Sequence, residues 1–106
     1  MPKIVSKKEY KFFRNKKTKN HPSIQIDAND KEWKNMELTS SPTKKNRYLR
    51  LKTNPNPKRT DNAYIRKYIR NDPIRTRGQL LAKFHLSEDD LAEIERYILS
   101  NKNKKS

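Results

Sequence analysis

Three stretches between residues 23 and 52 alternate apolar with polar residues. In Ser23-Ile24-Gln25-Ile26-Asp27 the two isoleucines share one face, the signature of a half-buried strand. Asp27 to Asp30 is a turn cluster. Trp33 to Thr39 alternates again, with Met36 and Leu38 on one face and Trp33 expected in the core. Ser40-Ser41-Pro42 closes that strand as a loop. Arg47 to Lys52 is the third alternation, with Leu49 and Leu51 facing inward and Tyr48, Arg50 and Lys52 facing outward. Asn54-Pro55-Asn56-Pro57 follows. Its prolines lack amide donors, so it reads as a rigid extended loop.

Residues 63–70 (Ala-Tyr-Ile-Arg-Lys-Tyr-Ile-Arg) fit two periods. A four-residue repeat pairs Tyr64 with Tyr68, Ile65 with Ile69 and Arg66 with Arg70, which suits a helix with Asp61 as N-cap. A two-residue period puts the tyrosines and arginines on one face and the isoleucines on the other. The β-branched and aromatic content leans toward strand. A helical stretch is expected from about Thr76 to Phe84, broken near His85-Leu86. Ser87 then opens the clearest helix. It is an N-cap, Asp90 stands in a Ser-x-x-acid arrangement, and Glu88, Asp89 and Asp90 crowd the first turn, where the helix dipole favours negative charge. Leu91, Ile94, Ile98 and Leu99, helped by Tyr97, make its apolar stripe. The fold class is therefore α+β: a small twisted antiparallel sheet or barrel followed by one or two C-terminal helices.

With 106 residues, 30% of them hydrophobic, the chain has room for one small domain with a modest core. Residues 1–20 carry eight basic side chains and one acid. They read as a basic, flexible arm, within which Ile4 and Val5 can add a short strand and Tyr10, Phe12 and Phe13 can pack. Residues 21–99 form the single domain and residues 100–106 a disordered tail. The absence of cysteine excludes disulfides and thiolate metal sites. His21 and His85 are too far apart in sequence to make a zinc site by themselves, and neither a metal nor a cofactor is expected. No apolar run approaches a membrane span and no signal-peptide core is present, so a cytoplasmic location is expected. No amphipathic helix with a bulky apolar face accompanies the basic cluster, which argues against a membrane partner.

Charge changes the picture. The formal net charge is +15, and it is partitioned. Residues 44–77 hold twelve basic side chains against two acidic ones, whereas residues 78–99 hold two against five. A basic middle followed by an acidic end is the footprint of a protein that meets a polyanion, most often nucleic acid. Arg47, Tyr48, Arg50 and Lys52, with Tyr64, Arg66, Lys67, Tyr68 and Arg70, interleave cations with aromatics. Cations neutralise phosphates and tyrosine rings stack on unpaired bases. The bland reading is a solvated face whose tyrosines pack inward. The acidic helix from Glu88 to Glu95 should lie away from any surface that binds nucleic acid, where a protein partner or a second subunit can dock.

Several pieces together resemble the PemK/MazF-like toxin family. Asn20-His21-Pro22 running into the strand Ser23 to Asp27 is similar to the family's Arg-Pro leading into its apolar strand. Leu38-Thr39-Ser40 is similar to the Thr-Ser or Thr-Ala that ends its active-site strand. Ile69 to Arg77, followed by Leu86-Ser87-x-x-Asp90-Leu91-x-x-Ile94, resembles its last strand, connector and final helix. The resemblance spans roughly residues 20–99. It implies a small barrel with C-terminal helices, an endoribonuclease activity, an antitoxin peptide as partner and a homodimer as assembly. The chain departs from the pattern in two places. A lysine-rich arm stands where the family has a Gly-Asp-Ile-Val-like strand, and His21 stands where its catalytic arginine would be. Histidine titrates near neutrality and can take over as general acid or base, or it can mark a relative without catalysis.

Cleavage of RNA by its 2′-hydroxyl needs a base, an acid and a cation for the phosphorane charge. His21, Thr39, Ser40 and an arginine such as Arg47 or Arg50 can supply them; more blandly, His21 is a surface residue leading a strand. His85 reads as a packing or capping residue. The Asn54–Pro57 loop reads as a connector more than as a presenter of asparagines to bases. Lys7 to Lys19 is either an arm along a phosphate backbone or simply a tail. Three functions are therefore expected: a nucleic-acid-binding, PemK/MazF-like protein acting on single-stranded RNA, with RNA favoured over DNA and metal-independent cleavage possible; a non-catalytic DNA- or RNA-binding accessory protein of a phage or mobile element; or an inhibitor that binds a protein.

Overall fold

A computed structural model of the chain describes residues 10–104. Seven strands precede one helix: β1 (Phe12–Asn15), β2 (His21–Ala28), β3 (Glu32–Thr39), β4 (Tyr48–Arg50), β5 (Tyr64–Arg66), β6 (Arg70–Pro73), β7 (Arg77–Leu80) and α1 (Glu88–Lys104). All the pairings are antiparallel, and the strands run in the order β4-β5-β3-β2-β1-β7. Strand β3 is the hub. One edge pairs with β2, while the other takes β6 over Glu32 to Asn35 and β5 at Leu38 and Thr39. Among the described residues the sheet does not close. β6 and β7 are joined by the single 3₁₀ turn Ile74–Thr76 instead of pairing with each other. The fold is α+β, with an open sheet and one C-terminal helix.

The alternation along β2 and β3 decides which face is which. Ile24 and Ile26 of β2 and Met36 and Leu38 of β3 point to one side. There they meet Phe12, Leu51, Ile65 and Leu81, and Ile94 and Ile98 of α1. A bulge at Ile26 inserts one extra residue between the pairs Gln25–Asn35 and Asp27–Lys34, which bends the strand. Trp33 is fully buried on the opposite face, outside this cluster. Its indole Nε1 donates to Thr76 Oγ1 at 3.1 Å, and Phe13 meets its ring edge-on at 6.0 Å between centroids.

That second face is largely polar. Asn15 Nδ2 donates to Asn35 Oδ1 (3.0 Å) and to Asp72 Oδ2 (3.1 Å); Asn35 Nδ2 donates to Asp72 Oδ2 (3.1 Å). Arg70 adds two bonds to the same carboxylate, from Nε at 3.0 Å and from its terminal nitrogen at 3.2 Å. Burial by itself would raise the Asp72 pKa, but the hydrogen bonds from Arg70, Asn35 and Asn15 outweigh it and hold the carboxyl below its ordinary range. Its own hydrogen bonds to Asp72 raise the pKa of Arg70.

Helix α1 begins as its sequence implies. Ser87 Oγ accepts the Asp90 N–H at 3.2 Å. The Asp90 carboxylate does not turn back to complete a capping box. It reaches across to the backbone N–H groups of Lys52 (2.8 and 3.1 Å) and Thr53 (3.2 Å), pinning the chain after β4 to the helix. Ile94 and Ile98 are buried, but Leu99, expected on the stripe, is exposed because it lies a further step around the helix.

Four expectations are corrected. Residues Thr76 to Phe84 do not form a helix: β7 occupies Arg77–Leu80, bonded to β1, and Leu81 N–H continues the contact to Phe12 carbonyl at 2.8 Å. Gly78 is a weak helix former that suits close approach to β1, where a Cβ would meet the Arg14 carbonyl oxygen at 3.0 Å. Residues 63–70 are two strands and a corner, so neither a helix nor a single strand forms, and Asp61 caps nothing. The segment Arg14 to Asn20, expected to be flexible, contributes to β1 and to the 3₁₀ turn Lys16–Thr18, because buried Asn15 is held by Asn35 and Asp72. Residues 100–104, expected in the tail, continue α1. The proposed strand at Ile4 and Val5 lies outside the described residues. No described helix is long and apolar enough to cross a membrane.

Candidate nucleic-acid interface

His21 opens β2 and Thr39 closes β3, and antiparallel pairing brings these two ends together. Ser23 pairs with Glu37, so His21 lies one pleat farther along, beside the end of β3. The His21 Nδ1 is 3.5 Å from Glu37 Oε2. His21, Thr39 and Ser40 line one cavity of about 300 Å³, together with Asn54, Asn56 and Arg59 from the proline-rich loop, and Leu38, Ala63 and Phe84 give it an apolar wall continuous with the core. The three residues singled out for proton transfer and phosphate contact are therefore brought together. The expected arginine is a different one: neither Arg47 nor Arg50 lines the cavity, and Arg59 does.

The loop is built from its own side chains. Asn54 Oδ1 accepts the Asn56 N–H (2.9 Å) and Asn56 Oδ1 accepts the Lys58 N–H (3.0 Å), two successive Asx turns. Asn54 Nδ2 donates to the Asp61 carbonyl at 3.0 Å, and the Pro55 carbonyl accepts the His85 N–H at 3.1 Å. The asparagines thus hold the loop in shape, as expected of a connector, even though they also border the cavity. Arg59 makes a two-point pair with Asp61 (3.0 and 2.7 Å), and this hydrogen bonding is the leading cause that lowers the Asp61 pKa. An exposed pair of this kind costs little to open. Arg59 was hidden in the sequence by its place after a rigid connector. The basic pair Lys58-Arg59 following a stiff loop was the signal available. Thr39 Oγ1 accepts the Ser41 N–H at 3.1 Å, which fixes the rotamer of its hydroxyl.

The cationic and aromatic residues assemble on an adjacent ribbon. Across β4 and β5, Tyr48 stands opposite Arg66 and Arg50 opposite Tyr64, while Leu49 opposite Ile65 fills the other face. Tyr64 in turn stands opposite Thr39 on β3, so Arg50, Tyr64 and Thr39 form one cross-strand row. The ribbon and the cavity meet at Thr39. Tyr64 is buried and Tyr48 half-buried; Tyr68 stands out at 53% exposure, with the Arg66 guanidinium 5.3 Å from its ring centroid. Arg47 and Lys67 are exposed beside them and tied by backbone, the Lys67 N–H to the Arg47 carbonyl at 2.8 Å.

Two of the expected cations are placed differently. Arg70 is committed to Asp72. Lys52 turns to the helix side, its Nζ 3.1 Å from Asp89. Among the described residues, no group of three or more His, Asp or Glu side chains is placed to hold a metal ion. No family model, curated protein or solved structure matches this chain.

Proposed function

We propose that this protein binds single-stranded RNA across the polar face of the β3–β5 region, with the cavity at His21, Thr39, Ser40 and Arg59 holding a phosphate and its ribose. The observation that carries this reading is the meeting at Thr39 of that cavity with the Arg50–Tyr64 row, on a chain of net charge +15. Phosphate contacts supply the affinity, and the exposed tyrosine favours unpaired bases, which RNA offers in its loops and ends. The reading keeps to the PemK/MazF-like resemblance, which implies an antitoxin peptide and a second copy of the chain as partners.

The test is binding of a labelled single-stranded RNA at several salt concentrations. With six to ten phosphate contacts, affinity should fall roughly a thousandfold or more between about 50 and 200 mM salt. A flat profile overturns the reading, and absence of binding at physiological salt points to the inhibitor.

Cleavage is a second reading, supported by the pairing of His21 with Glu37, the histidine lining the same cavity as Thr39. Glu37 faces Nδ1, which leaves Nε2 to take the ribose 2′-hydroxyl proton. The 2′-oxygen bonds to phosphorus, the bond from phosphorus to the 5′-oxygen breaks, and the imidazolium returns its proton to that oxygen. The products are a 2′,3′-cyclic phosphate and a 5′-hydroxyl, with Arg59 balancing the phosphorane charge. Cleavage in EDTA that disappears in His21→Ala, while binding stays, supports this reading. RNA left intact by the wild-type protein removes it and leaves a binding protein without turnover.

A further inference from the structure

We infer that Tyr68 and Arg66 form a stacking clamp for one unpaired base and are what make the protein prefer single strands. The inference rests on the RNA-binding reading above. Tyr68 is 53% exposed, whereas every other tyrosine of the described residues is buried or half-buried. Single exposed rings are common on protein surfaces; this one is set apart by the fixed corner that carries it and by the guanidinium beside it.

The corner that carries Tyr68 is held from both sides. The Tyr68 N–H donates to the Arg66 carbonyl at 2.8 Å, and the preceding Lys67 N–H to the Arg47 carbonyl at 2.8 Å. Before the corner, Ile65 is fully buried; after it, Ile69 packs on the core and Arg70 is locked to Asp72. These anchors leave the ring standing at the surface. The Arg66 guanidinium sits 5.3 Å from the ring centroid, within cation–π range, and so occupies one side of it. The other side offers a flat π-face to a base, beside a cation that can pair with the phosphate of the same nucleotide. Stacking of this kind tolerates any base, because every base has a π-face, and it excludes a duplex, whose bases are already stacked.

Fluorescence anisotropy with three oligomers of equal length and charge tests the clamp: oligouridine, oligothymidine and an abasic ribose-phosphate strand. Wild-type protein should bind the two base-bearing strands several-fold or more tightly over the abasic one. Tyr68→Ala should weaken binding of the base-bearing strands by roughly five- to a hundredfold, leave the abasic strand unchanged and keep the salt slope. Tyr68→Phe should behave as wild type. A preference for oligouridine over oligothymidine that survives Tyr68→Ala would report the 2′-hydroxyl in the cavity and not the clamp. If wild type binds RNA with steep salt dependence and Tyr68→Ala does the same with no loss, the clamp is overturned and the RNA reading stands. If wild type binds none of the three, both fall.

Discussion

The two faces of strand β3 do different work. Met36 and Leu38 point into an apolar core closed by α1, whereas Trp33, Asn35, Glu37 and Thr39 alternate with them on a face where hydrogen bonds replace hydrophobic contact. One face gains stability by excluding water, without directional demands. The other relies on partners for its buried polar groups, since an unsatisfied one is costly, and among the described residues the buried Ser23 hydroxyl is left without one. Toward β6 that polar face is sealed by the Asn15–Asn35–Asp72–Arg70 network, and toward β5 it opens into the candidate interface. A single strand thus links the part that resists unfolding to the candidate interface.

The largest effect should come from the apolar face. Phe12 is fully buried and packs against Phe84 at 5.6 Å between ring centroids. Phe12→Ala should cost about 3–5 kcal/mol in denaturant unfolding. A cost under about 1 kcal/mol would mean that the core is elsewhere, and the contrast between the faces would collapse.

Next comes the sealed half of the polar face. Asp72→Ala strips Arg70, Asn15 and Asn35 of a shared acceptor and should cost about 2–3 kcal/mol. The charge of Asp72 can be isolated by pH. Its pKa is lower in the folded protein than the ordinary 3.8 of an unfolded chain, so the unfolded state binds more protons in acid. The stabilisation is complete above that ordinary value and is lost as pH falls through it toward the folded-state value. Asp72→Asn should flatten this acid limb of the stability curve. An unchanged limb would show that other carboxylates carry it.

The legibility of the sequence follows the same division. Alternation in 23–27, 33–39 and 47–52 marked the apolar face correctly, because a period of two separates the two sides of a strand, although Trp33 and Asn35 are buried on the other side as well. The helix after Ser87 was equally clear. What escaped was decided by partners distant in sequence. Arg77–Leu80 is a strand because β1 offers it an edge, and no local pattern announces that edge. Asn15 looked like part of a basic tail, yet its amide is held by residues 20 and 57 positions away. In the candidate interface, His21, Thr39 and Ser40 were legible as the ends of adjacent strands. Arg59 was not, because two Asx turns and a contact with His85 decide where its loop lies. Tyr64 and Tyr68 looked equivalent in the four-residue repeat. The corner at Lys67 separates them, leaving one buried and the other exposed.

The open half of the polar face should respond in binding and hardly in stability. Arg50, which is exposed, and Arg66, which is half-buried, are single members of the ribbon, and each replacement by Gln should lower RNA affinity and reduce the salt slope by about one. Unfolding free energy should move by no more than about 0.5 kcal/mol. A clear loss of unfolding free energy with unchanged affinity would reverse the assignment of the two halves.

The smallest effect is expected at Lys52, and it divides the two faces most sharply. In sequence Lys52 is the twin of Arg50, two residues on and pointing to the same side of a regular strand. In the fold, β4 ends at Arg50, and the Asp90 carboxylate captures the Lys52 N–H, turning the chain toward α1. The Lys52 ammonium then stands 3.1 Å from Asp89 in an exposed pair, beside the acidic first turn of the helix. A phosphate backbone following the ribbon would be repelled there. Lys52→Gln should therefore leave RNA affinity and salt slope as in wild type, and stability within about 0.5 kcal/mol, since an exposed pair contributes little. Arg50→Gln and Lys52→Gln remove the same formal charge two positions apart, so net charge alone predicts equal losses. Equal losses would mean that the RNA senses only the total charge of the molecule and that the division of β3 into two faces has no bearing on binding.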